Sequence, residues 1–214
     1  MLVKILNNFN LDKDKILNIY PYGSFIYKTN TDKSDEDFIV IYNQEENIKD
    51  SIYSSDKKIN ITLISSLHFQ EMINNHRIDS LECIFLPDDL KYEKIKFDFN
   101  YNSDILRRSI SAVCSNSWVK CRKKFIDNQE YIGKKSLFHS LRIVDFGLQI
   151  ADNKRIINYI KPEYMNYDSF MELWLEIDKH DSWKSLKEDY QELANNLRSQ
   201  FRIVAPLRDI NENR

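Results

Sequence analysis

Two short stretches of this sequence carry residues able to hold a phosphate and a cation: Gly23-Ser24, and the Asp35-Glu36-Asp37 triplet that runs directly into Phe-Ile-Val-Ile. Residues two apart in a strand project to the same side, so Asp35 and Asp37 are expected to point together while Phe38 and Val40 face the opposite layer. Two carboxylates held that close repel each other unless a cation lies between them. Mg2+ (or Mn2+) suits such a pair, because magnesium takes oxygen ligands and commonly uses one or two carboxylates with substrate phosphates completing the shell. Gly23 lets backbone amides approach a phosphate closely, and the Ser24 hydroxyl can donate to a phosphate oxygen. The pair of elements thus suits a nucleoside triphosphate attacked in line at its α-phosphorus, with pyrophosphate leaving. Taken singly, each element is ordinarily just a solvated turn. Together they are more specific, since carboxylates opening a run that must be buried have no evident structural purpose.

The elements that must position these residues follow from the pattern around them. From Leu11 to about Pro87 the sequence changes character every ten or so residues, and β-branched and aromatic runs predict strands over 18–22, 37–42, 58–64 and 82–86, with a helix over 66–75. After Asn102 the period turns helical: Leu106, Ile110, Val113, Ser117, Cys121 and Phe125 recur every three or four residues, then Leu137, Leu141, Val144 and Leu148. A third stripe runs from Leu186 to Val204, with His180-Asp181-Ser182 as its break and cap. The predicted fold class is α+β (α/β): a small mixed sheet with packed helices over residues 1–100, then a C-terminal helical bundle over 101–214. The polar stretch 88–103 is the expected connection. The aromatic stripe through Trp174, Tyr190 and Phe201 is expected to be core, or else a homodimer contact through the C-terminal helices.

Composition narrows the class. At 214 residues and 42% hydrophobic the chain can bury a core, and its longest apolar runs fall far short of the roughly 20 residues of a membrane span. No membrane association is expected, and a cytoplasmic protein is. Cys83, Cys114 and Cys121 lack paired metal-ligand spacing, so reduced thiols are expected. A net charge of −2 offers no general attraction to a polyanion, so any nucleic-acid contact must come from a local basic patch.

The Gly-Ser pair, the spacer containing Tyr27, Thr29 and Asn30, and Ser34-Asp35-Glu36-Asp37 before a hydrophobic strand resemble the signature of the DNA polymerase β-like nucleotidyltransferase superfamily. More narrowly, the chain is similar to uncharacterised nucleotidyltransferases of phages and bacteria, in which a segment like His76–Cys83 follows the sheet and a helix like Lys134–Arg142 lies in the helical half. The location implied for a phage-encoded member is the host cytoplasm. The resemblance also implies a third carboxylate on a neighbouring strand, completing the metal site and accepting a proton. The corresponding strand, 58–64, has no acid; Asn60 stands at the equivalent place, and an amide oxygen can ligate a metal but is a poor proton acceptor. Glu82 is the alternative, if it points into the same cleft. His76 is either a phosphate contact or, at the end of a polar helix, solvated.

In the helical half Lys135, His139 and Arg142 share one helix face at i, i+4 and i+7. By itself that face is a triphosphate clamp or a solvated basic face; the resemblance favours the clamp. Lys120 and Lys124 share a face of the preceding helix and are assigned either to nucleotide binding or to that helix's C-terminus. Trp118 beside them is a core residue or a stacking platform. The function expected is Mg-dependent transfer of a nucleoside monophosphate from an NTP to a hydroxyl of RNA, a metabolite or a protein. A nucleotide-binding relative without transfer, or an antitoxin-like interaction protein of the same fold, is the alternative.

Overall fold

The first strand forms because Ile16, Ile19 and Tyr20 need burial, and it delivers the Gly-Ser turn at its end. In a computed structural model describing residues 1–43, 49–56 and 58–207, β1 spans Ile16–Tyr22, β2 Glu36–Tyr42, β3 Lys49–Tyr53, β4 Ile59–Ser65 and β5 Tyr92–Glu93. The sheet order is β3-β4-β2-β1-β5; β2 and β4 are parallel and the other pairs antiparallel. Helix α1 (Leu2–Asn8) covers one face, where Ile5 and Phe9 meet Ile19, Phe38, Val40 and Ile61. The alternation predicted for β2 is therefore present: Phe38 and Val40 enter this core, and Asp37 lies on the other side. That other side meets α3 (Ser66–Asn74) and α4 (Ile78–Ile84), with Tyr20 stacked on Phe69 at 5.7 Å. A one-turn helix, α2 (Ser24–Tyr27), follows β1 directly.

Buried Asn18 ties the short edge strand in place. Its Oδ1 accepts from the backbone of Lys94 and Ile95 at 3.0 and 3.1 Å, and its Nδ2 donates to the Ile95 carbonyl at 2.9 Å. The chain divides into two compact units, Met1–Asn100 and Tyr101–Arg214.

The second unit is helical: α5 (Ser103–Ile126), α6 (Glu130–Asn153), α7 (Phe170–Asp178) and α8 (Trp183–Val204). Asn102, Ser169 and Ser182 cap α5, α7 and α8 through side-chain oxygens that accept backbone N–H groups at 3.1–3.2 Å. Helix α6 is buried almost all round from Ser136 to Ala151, which makes it the centre of the unit. The irregular stretch after it is held from α6: Asp145 Oδ1 accepts from Glu163 and Tyr164 N at 3.0 and 2.8 Å, and Gln149 Oε1 accepts from Ile157 and Asn158 N at 2.9 and 3.0 Å. Trp174, Tyr190 and Phe201 are buried, so the aromatic stripe is core. No described helix is long and apolar enough to cross a membrane, and the three cysteines are free and buried.

One element departs from expectation. Residues 82–86 are not a strand; Glu82 lies in helix α4. The run Leu81–Leu86 is too short for its period to separate strand from helix, and Ile78, Leu81 and Glu82, at i, i+3 and i+4, all turn inward. Strands β3 and β5 and helices α1 and α7 carry no prediction.

Candidate functional site

Strand register brings Asp37, Tyr22 and Asn60 into one row at the end of the sheet, Asp37 pairing with Tyr22 of β1 on one side and Asn60 of β4 on the other. Gly23 comes next, with φ 78° and ψ −152°, a conformation that essentially only glycine adopts. A Cβ on Gly23 would sit 2.8 Å from Asp37 Oδ2, so the missing side chain is also the space in which that carboxylate lies. Ser24 opens α2, and its hydroxyl is uncommitted among the described residues. The Gly-Ser turn and the second aspartate are thus in direct contact, although thirteen positions separate Ser24 from Asp37.

Asp35 precedes β2 and is half-buried; its carboxylate makes no hydrogen bond or ion pair among the described residues. A turn in which Thr31 N donates to Ser34 Oγ at 2.9 Å delivers the chain to it. Glu36 points away from both aspartates and pairs with Lys4 of α1. Asn60 donates from Nδ2 to Asp37 Oδ1 at 2.8 Å, while its own Oδ1 is buried and accepts no hydrogen bond. An amide oxygen in that state, beside a carboxylate, is an acceptor waiting for a donor or a cation. Asp37 and Asn60 Oδ1 offer adjacent oxygen donors of the kind Mg2+ uses, whereas Asp35, just before β2, is not among the residues that line the cleft. Among the described residues there is no cluster of three or more His, Cys, Asp or Glu side chains, so the remaining ligands would have to be water or substrate.

Asp37 and Asn60 line a cleft of about 270 Å³ together with Tyr22, Thr62 and Asp79. Asp79 carries no role in the sequence-based assignment. It stands in the first turn of α4 and is held by Arg77, whose Nε and Nη2 donate to its two oxygens at 3.2 and 2.8 Å. Only the helical state of 78–84 turns it toward the sheet, and a strand beginning at Glu82 gives no hint of it. Glu82 itself is buried and accepts from the Tyr27 hydroxyl, and it does not line this cleft. His76 is likewise not solvated: it is buried with φ 49°, its Nδ1 within 3.2 Å of the Ile73 carbonyl and its ring 5.0 Å from Phe99. Burial lowers its basicity.

The basic residues expected in the second unit gather around His139. Burial, and the charges of Arg142, Lys135 and Lys120, hold its imidazole down at about 3, so it is neutral at pH 7. Arg142 is not on a solvated face: it is fully buried, its Nη2 3.3 Å from His139 Nδ1 and its guanidinium 4.9 Å from the Phe146 ring centroid. The reason is that α6 is the central helix, so a face that reads as basic in sequence is enclosed. Lys120 and Lys135 are exposed, Lys135 lying over the Tyr131 ring at 5.2 Å. Lys124 is engaged by Gln129 Oε1 at 2.7 Å and Asp127 at 3.9 Å, which fits the structural role.

Residues 3–102 match the family of nucleotidyltransferase domains. No curated protein matches the chain. Among solved structures, a nucleotidyltransferase-like protein from Exiguobacterium sibiricum is similar with a TM-score of 0.36 at 10% identity, over 88% of this chain and 69% of that one. A spectinomycin adenyltransferase from Enterococcus faecialis, solved with ATP and spectinomycin, is similar with a TM-score of 0.48 at 12% identity, over 94% of this chain and 98% of that one. At such scores the two structures carry no argument about substrate. The domain match covers the strands and turn that build the cleft, so residues 3–102 are similar to nucleotidyltransferase domains.

Proposed function

We propose that the chain transfers a nucleoside monophosphate from an NTP to an acceptor hydroxyl, releasing pyrophosphate. The observation that carries this reading is the contact of Gly23 with the Asp37 carboxylate, beside the buried Asn60 Oδ1 that accepts no hydrogen bond. Gly23 and Ser24 hold phosphate oxygens, through close backbone approach and the free hydroxyl. Asp35, Asp37 and the Asn60 amide oxygen hold Mg2+ or Mn2+, which when bound neutralises charge developing on the transferred phosphoryl group. The acceptor oxygen attacks the α-phosphorus, the bond from that phosphorus to the α,β-bridging oxygen breaks, and pyrophosphate departs. The acceptor's proton needs a carboxylate, because the Asn60 amide is a poor base; Asp79, on the wall of the same cleft, is assigned that role.

In the second unit Lys120, Lys135 and His139 form a basic cluster suited to an anion, with enclosed Arg142 bracing His139. Burial first, and then the charges of Arg142, Lys135 and Lys120, depress the basicity of His139, and an anion bound there would relieve the second of these. If so, adding a non-hydrolysable NTP with Mg2+ should move the His139 imidazole resonances in NMR titrations toward easier protonation. No movement would show that this cluster takes no anion.

The decisive experiment pairs calorimetric titration of the four NTPs, with and without Mg2+, with assay of pyrophosphate release. Asp35→Ala and Asp37→Ala should each abolish metal-linked nucleotide binding while melting within a few degrees of wild type. Asp79→Asn should keep binding and lose turnover by about 10²-fold or more, the scale of general base catalysis. Binding that survives both alanine changes would overturn the site. Asn60 favours a second reading, in which nucleotide is held but not transferred; tight metal-linked binding without turnover would select it.

A further inference from the structure

The groove between α5 and α8 in the second unit sorts its charges by sign. Five arginines, Arg107, Arg108 and Arg122 of α5 and Arg198 and Arg202 of α8, have no carboxylate partner among the described residues. Helix α8 carries three acids: Glu188 and Glu192 lie with Lys184 along a neighbouring strip that meets the groove at Lys187, and Asp189 pairs with His180. Helix α5 carries one acid, Asp104, against Arg107, Arg108, Lys120, Arg122, Lys123 and Lys124. Among the described residues, no acid lines the two clefts along the groove. One contains Ser111, Ser115, Arg198 and Arg202; the other, about 410 Å³, is lined by Trp118, Val119, Arg122, Trp183 and Lys187.

Aromatic rings alternate with these cations. Arg107 lies 5.6 Å from the Phe201 centroid and Arg198 5.2 Å from that of Trp118, and Trp118 meets Trp183 edge to face at 5.5 Å. Both tryptophans are half-buried, so part of each ring lines the open cleft, and neighbouring Val119 is 64% exposed. Like charges held together at the other end leave their mark on Arg107, whose guanidinium is less basic than usual through burial and the proximity of Arg202. Arg198 also donates to Cys114 Sγ at 3.4 Å and Ser140 Oγ at 3.5 Å, but none of the five arginines meets a carboxylate among the described residues, and the self-repulsion this leaves is what a polyanion would remove.

We propose that this α5–α8 groove binds single-stranded nucleic acid, its arginines tracking the phosphates and the Trp118–Trp183 pair stacking on a base. From Arg107 to Arg122 the helix rises roughly 22 Å, the length of about six phosphates at the ~3.4 Å spacing of a strand. A row of cations and an accessible aromatic platform are the two components of sequence-tolerant single-strand binding. An acidic protein segment would use the charges but not the rings. This inference does not depend on the nucleotide site.

The test is fluorescence anisotropy of the intact protein with labelled dodecamers of oligouridylate and oligothymidylate at several salt concentrations, alongside its tryptophan emission. Binding should weaken with salt and quench tryptophan, and whichever dodecamer binds more tightly identifies RNA or DNA as the source. Replacing the exposed pair, Arg122→Gln with Arg202→Gln, should weaken binding about tenfold and lower the log–log salt slope by about two, with an unchanged melting temperature. Lys161→Gln with Lys179→Gln, the same charge change elsewhere on the unit, should leave it alone. Trp118→Phe with Trp183→Phe should remove the quenching. Absence of binding by either dodecamer, equal effects of the two charge pairs, or displacement by polyglutamate as readily as by unlabelled oligonucleotide would each overturn the proposal.

Discussion

Gly23 is held by two independent constraints. Its backbone lies where side chains are strained by about 1–3 kcal/mol, and a Cβ would collide with Asp37 Oδ2. Gly23→Ala should therefore destabilise the protein by an amount in that range in chemical denaturation and weaken nucleotide binding at least tenfold, because the carboxylate must move. Unchanged binding would show that the contact is only packing. Asn60 presents an amide oxygen where a carboxylate could stand. Asn60→Asp puts a third carboxylate beside Asp37, and if proton acceptance limits turnover, pyrophosphate release should rise about tenfold or more. A third residue sets a pH dependence. His139 has a folded value near 3, below the ordinary 6.5, so its contribution to stability is complete above 6.5 and is lost as pH falls from there toward 3. Asp145, raised by burial to about 6, works in the other direction: its contribution is full below 3.8 and is lost as pH rises through 6. Relative to wild type, His139→Gln should gain about 1–2 kcal/mol between pH 7 and pH 5 in urea melts. Parallel curves would show that the imidazole is not held neutral.

At the scale of elements, α5 and α6 pack closely enough that Gly147 is needed for its size. A Cβ there would lie 2.8 Å from Ile110 Cγ2 and 3.2 Å from Phe201. In an open helix Gly→Ala stabilises by about 1 kcal/mol, whereas overpacking costs about 1–3 kcal/mol, so Gly147→Ala should lower stability despite its better helix propensity. Adding Ile110→Ala should return part of the loss, which a double-mutant cycle reads as a favourable coupling. Several elements were legible because their signals are local. Ser182 with the stripe from Leu186 marks α8, and Ser65 caps a helix at the predicted place. Helix α7 carried no prediction although its signal is also local: Ser169 and Glu172 form a capping pair beside Phe170, Leu173, Trp174 and Ile177. Strands β3 and β5 were not legible: one is a polar edge strand and the other is two residues long, and both exist only through their partners.

At the scale of the molecule, a net charge of −2 conceals the sign-sorted groove between α5 and α8. It also conceals an enclosed arginine on α6, Arg142, which helical spacing alone assigns to a basic surface. A bulk charge sums over faces that never meet the same partner, so local patches have to be found in space.

The sequence by itself determined the glycine turn after β1 and the alternation that sends Phe38 and Val40 into the core and Asp37 to the other side, because a strand's two-residue period and a glycine's conformational freedom are local facts. It also determined the α+β class, through the change of hydrophobic period near residue 100. Tertiary structure decided the rest. Register set Asn60 against Asp37; packing turned 82–86 from an apparent strand into part of a helix, buried Glu82 on Tyr27 and brought Asp79 to the cleft. These depend on which distant surfaces bury one another, and a short apolar run fits either period until its partner is present.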